Sequence, residues 1–75
     1  MIELNGIKYD DSHGSPFDRG TADAYYGRRA NPHWIKYDEN KSYQIDKYHM
    51  NEKEVKSYDA GYQYAIDIGH EKDYR

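Results

Sequence analysis

The chain contains no cysteine, so neither a disulfide framework nor a thiolate metal site can staple it. Aliphatic core formers are scarce as well. Ile2, Leu4, Ile7, Phe17, Ile35, Ile45, Val55, Ile66 and Ile68 are all that it holds among Ile, Leu, Val and Phe. Nine of 75 residues lies below the roughly 20% that marks disorder when net charge is also high. That second condition is missing, because eleven basic and fourteen acidic side chains leave only −3. No apolar run approaches the ~18 residues of a membrane span. The first residues carry acids and no apolar stretch, so a secretory signal is not expected and a cytoplasmic protein is.

What the chain has instead is tyrosine. Ten tyrosines and Trp34 supply large apolar faces that disordered chains lack. A domain of this length buries only about 60% of its unfolded surface, so one small, aromatic-dependent domain spanning residues 1–75 is expected. Ten tyrosines are more than one such core holds, and several should remain exposed as anchors for a partner. Charge is uneven along the chain. Arg19, Arg28, Arg29 and Lys36 against Asp23 make the middle third basic, and both flanks are acidic.

Local signals give an α+β architecture. Ile2 to Tyr9 alternates around Asn5-Gly6, the pair that best tolerates the positive φ angles of a tight hairpin turn. A helix over about 16–27 starts at Ser15 as cap, with Pro16 at its first position and Asp18 in its first turn, and stops at Gly27. Residues 34–45 read as a second hairpin or an ordered irregular loop. Asn51-x-x-Glu54 is an asparagine form of the capping box, opening a helix over about 52–68. The tail from His70 to Arg75 should fray unless Tyr74 docks.

One pattern occurs twice. Phe17-Asp18-x-Gly20-x-x-x-Ala24 returns as Tyr58-Asp59-x-Gly61-x-x-x-Ala65. On a helix, positions four apart share a face, so each copy makes a small-residue notch beside an aromatic ring. Two notched helices should cross closely through Phe17, Gly20 and Ala24 on one and Tyr58, Gly61 and Ala65 on the other.

The candidate binding cluster is basic and aromatic: Arg19, Tyr25, Tyr26, Arg28, Arg29, His33, Trp34 and Lys36. Such a set can bind phosphates and stack bases. It can equally be structural, with Arg19 paired to Asp23 one turn on, Arg28 and Arg29 beyond a helix C-terminus, and Trp34 in the core. No two histidines lie three or four apart. Asp10-Asp11-x-His13 and His70-Glu71-x-Asp73 lie in irregular segments, so no metal and no other cofactor is expected. Glu39-x-Lys41 and Glu54-x-Lys56 lack a partner acid on a buried strand, and neither a Gly-rich phosphate loop nor a serine elbow occurs. Catalysis is not expected.

The run Ser15-Pro16-Phe17-Asp18-Arg19-Gly20-x-Ala22-Asp23-x-Tyr25-Tyr26-Gly27-Arg28, with Asn31-Pro32-His33-Trp34, resembles a group of small uncharacterised proteins of bacteriophages and prophages. Glu54-Val55-x-x-Tyr58-x-x-Gly61-Tyr62 and Lys72-Asp73-Tyr74 are similar to that group's second half. The resemblance implies a non-catalytic accessory protein that binds and modulates a macromolecule of a bacterial host. The acidic balance favours a host protein, with a homo-oligomer as a structural version of the same idea. Gly27-Arg28, Pro32-His33 and Gly61-Tyr62 also follow the order seen in ribosome modulation factor. That likeness implies the alternative, a ribosome- or RNA-binding modulator, although that family is strongly basic and this chain is acidic.

Overall fold

In the computed structural model, which describes residues 1–69, the chain runs from a hairpin to a helix, a second hairpin and a second helix. Strands β1 (Ile2–Leu4) and β2 (Ile7–Tyr9) pair antiparallel, with Ile2 opposite Tyr9 and Leu4 opposite Ile7. Asn5 and Gly6 take φ of 52° and 79°, so both turn residues occupy the left-handed region expected of Asn-Gly. Two short strands are marginal alone. This pair is anchored by Tyr9, whose ring stacks on Phe17 at 5.3 Å.

Helix α1 spans Pro16–Tyr25. The Ser15 hydroxyl accepts from the Asp18 N–H at 3.2 Å, and Asp18 in turn accepts from the Gly14 N–H at 2.9 Å. The helix ends two residues before the predicted position at 27. Gly27, at φ 70°, lies just past the cap and turns the chain. Its N–H reaches the Ala24 carbonyl at 3.1 Å, and the next N–H, of Arg28, reaches Asp23 at 2.8 Å. This pair of bonds is the Schellman ending that satisfies the last carbonyls.

Residues 34–45 fall within a real hairpin. Strands β3 (His33–Asp38) and β4 (Lys41–Asp46) pair antiparallel in register, with Trp34 opposite Ile45 and Lys36 opposite Tyr43. Its base is fixed to the rest of the domain by the Ile35 N–H, which donates to the Gly14 carbonyl at 2.7 Å. The Tyr37 ring also stacks on His13. A short 3₁₀ turn, Lys47–His49, capped by Asp46, leads to α2, Glu52–Gly69. The capping box forms in both directions. Glu54 N–H donates to Asn51 Oδ1, and Asn51 N–H donates to Glu54 Oε1, each at 2.8 Å.

The helices cross at the two glycines, and the contact is reciprocal. A Cβ on Gly20 would run into the Tyr58 carbonyl oxygen and lie 2.8 Å from the Tyr62 nitrogen. A Cβ on Gly61 would run into the Phe17 carbonyl oxygen and lie 2.9 Å from its carbon. Backbone meets backbone at both places. Each copy of the repeat therefore places its aromatic residue's carbonyl over the other copy's glycine. Among the described residues, Phe17 and Tyr58 are the two fully buried large side chains. Phe17 lies between Tyr9 and Tyr64, and Tyr58 against His33 and Tyr62, so rings do the work that aliphatics do in other cores. Ala24 and Ala65, one turn beyond the glycines, are half-buried.

Candidate functional site

Past the crossing, the C-terminal halves of α1 and α2 leave an open groove of about 630 Å³, lined by Ala24, Tyr25, Tyr26, Tyr64, Ala65 and Ile68 among others. Tyr26 is 67% exposed and Tyr25 52%. Their rings meet edge to face at 5.0 Å. The Schellman turn is what leaves these two rings here, because the chain reverses immediately after them. The Arg28 guanidinium rests over the Tyr26 face, 5.1 Å from its centroid, a cation–π contact of modest strength at an exposed site. Tyr37, Tyr43 and Tyr48 are exposed too, so five of the nine described tyrosines lie on the surface. Tyr74 and the tail lie outside the described residues.

Apart from the groove lining, α1, α2 and the linker share a buried polar network centred on Asp23. The Tyr58 hydroxyl donates to Asp23 Oδ2 at 2.5 Å and accepts from the Asn31 N–H at 2.9 Å. Arg28 Nη1 reaches Asp23 Oδ1 at 3.4 Å. His33 is buried beside them, 3.8 Å from Asp23, with Nδ1 2.7 Å from the Asn31 carbonyl. Arg19 Nε donates to His33 Nε2 at 3.3 Å. An acceptor at Nε2 places the ring proton on Nδ1, where it meets the Asn31 carbonyl. Tyr62 adds a hydroxyl bond to the Arg28 carbonyl, so two tyrosines of α2 hold the linker after α1. Burial pushes the Tyr58 hydroxyl well above the ordinary tyrosine range, and the Asp23 carboxylate adds to the shift.

The cluster expected from the sequence is thereby divided. Arg19, Arg28 and His33 converge on Asp23 or its neighbours. Tyr25 and Tyr26 line the groove between the helices. Trp34 and Lys36 lie on β3 in a different groove, beside the N-terminal hairpin, and Arg29 is exposed. The expected pairing of Arg19 with Asp23 is replaced. Asp23 turns inward to Tyr58 and takes Arg28 as its cation, and Arg19 reaches across to β3. Trp34 is half-buried, and its indole N–H is buried without a hydrogen-bond partner among the described residues.

Both nitrogens of His33 are engaged and the ring is enclosed, so the His33–Asp23 pair serves the fold. Among the described residues, no three His, Asp or Glu side chains converge as metal ligands. His70, Glu71 and Asp73 lie outside those residues. No described helix is long and apolar enough to cross a membrane. The Asp23–Tyr58–Asn31 network escaped the sequence reading. The available signal was an acid on the edge of the notched face of α1, three residues from Gly20. Compared with known proteins, the chain matches no family model, no curated protein and no solved structure.

Proposed function

We propose that the chain is a non-catalytic accessory protein of bacteriophage type, which binds a host protein and modulates it. The observation that carries this reading is the groove at the open end of the helix pair, where Tyr25, Tyr26 and Ile68 remain exposed around an apolar hollow. Exposed tyrosines suit protein recognition, since each ring contributes contact area at low entropic cost and keeps its hydroxyl hydrated. The inward turn of Arg19 and the Asp23 partner of Arg28 weaken the competing phosphate-binding reading. A cytoplasmic location in the bacterial host accompanies the proposal.

The test is a pull-down from bacterial lysate, with and without nuclease, using wild type and Tyr26→Asp/Ile68→Asp. A protein partner retained after nuclease and lost with the double variant is the expected result. Loss of every partner on nuclease treatment would return the ribosome- or RNA-binding alternative to first place.

A further inference from the structure

The second groove, of about 530 Å³, lies where the N-terminal hairpin, β3 and the first turns of both helices meet. Its lysines come from three elements: Lys8 on β2, Lys36 on β3 and Lys53 on α2. All three are exposed, and none forms an ion pair with a described carboxylate. The two acids in the lining are already occupied. Asp10 accepts from the Ser12 N–H at 2.9 Å, and Glu54 from the Asn51 N–H at 2.8 Å. The Asp10 bonds to Ser12 hold its carboxyl below the usual carboxylate range. Pro16 and Lys53 belong to the opening turns of α1 and α2, so the positive ends of two helix dipoles also lie at this groove. Trp34, the chain's single tryptophan, is half-buried in the lining, its indole N–H enclosed and without a hydrogen-bond partner among the described residues.

We propose that this groove binds a short acidic peptide segment, with Lys8, Lys36 and Lys53 facing its carboxylates and the half-buried Trp34 ring its apolar part. The inference rests on the reading that the partner is a protein, and it adds the chemistry that partner presents. Charge complementarity selects the occupant, because three ammonium groups without an ion-pair partner among the described residues surround a hollow in a chain whose net charge is −3. A long polyanion fits less well. Asp11, Asp38 and Glu52 flank the lining residues in the chain, so any anion is confined to the groove itself and a short segment suits it better than a long chain of either kind. The size lies within the range of about 300–1,000 Å³ seen for compact ligand sites, which suits a few residues rather than a folded surface.

Trp34 is a built-in reporter. Titrating the protein with capped hexaglutamate at low salt should shift Trp34 emission, and the affinity should fall as ionic strength rises. The triple variant Lys8→Gln, Lys36→Gln, Lys53→Gln should bind at least tenfold more weakly, while Lys41→Gln, outside the groove, should bind as wild type does. Each single Lys→Gln variant, followed by amide chemical shifts, gives the same answer if the triple variant fails to fold. No change in Trp34 emission or in the groove amides with hexaglutamate overturns the proposal, as does tighter binding of oligouridine at the same salt. If the host protein is still captured from lysate when hexaglutamate does not bind, the protein-binding reading stands and the acidic-peptide inference falls.

Discussion

The hydroxyl of Tyr58 on α2 donates to the buried carboxylate of Asp23 on α1 at 2.5 Å, joining the two copies of the repeat a turn away from their glycine contact. The same oxygen accepts the Asn31 N–H, so one phenol satisfies a carboxylate and a backbone amide together. Tyr58→Phe removes both at once and keeps the ring. Leaving a buried polar group unsatisfied costs about 1–3 kcal/mol. For a domain of this length, that should lower the melting temperature by on the order of 10 °C. Calorimetry or thermal circular dichroism checks it, and Tyr62→Phe, which loses a more exposed bond, should cost less.

Alkaline titration should expose the same residue. The folded-state pKa of Tyr58 lies above its unfolded value, so its contribution to stability is complete below about pH 10 and is lost as pH rises toward the folded pKa. Phenolate absorbance compared between wild type and Tyr58→Phe should show the Tyr58 signal appearing only as the domain unfolds. A difference signal centred near pH 10 in the folded protein would contradict the buried network.

The start of α2 offers a local test. Asn51 and Glu54 exchange side-chain and backbone bonds, so Asn51→Ala removes one acceptor outright and should cost about 1 kcal/mol. Adding Glu54→Ala should cost less than the sum of the two single changes, because the reciprocal bonds hold each other in place. Denaturant midpoints for the two single variants and the double variant measure this.

Much of the frame was legible because its signals are local. Asn5-Gly6 needs only its own two φ angles, and Ser15-Pro16 and Asn51-x-x-Glu54 satisfy helix ends within four residues. The paired glycines were legible because the repeat itself is visible. The second hairpin was ambiguous for a physical reason. Its turn contains no glycine, and Glu39 takes φ of 51° without the residue type that announces it. Contacts with Gly14 and His13, far back in the chain, hold that hairpin to the domain. The Asp23 network and the lysine groove join residues dozens of positions apart, and no spacing rule reaches that far. Local helix geometry favoured Arg19 for Asp23, and the interior position of that carboxylate gave it to Tyr58.

The close crossing at Gly20 and Gly61 is the central claim, since it sets the helix pair whose open end forms the tyrosine groove. Melting temperatures of Gly20→Ala, Gly61→Ala and Gly69→Ala test it most directly. At Gly20 and Gly61 the new methyl would strike backbone of the opposite helix, and at Gly69 it would meet nothing among the described residues within 4 Å. Overpacking of this kind typically costs about 1–3 kcal/mol, and a backbone neighbour cannot swing aside as a side chain can. Gly20→Ala and Gly61→Ala should therefore each melt well below wild type and by similar amounts, with Gly69→Ala unchanged or slightly higher. Equal melting points for all three variants and wild type would contradict the crossing.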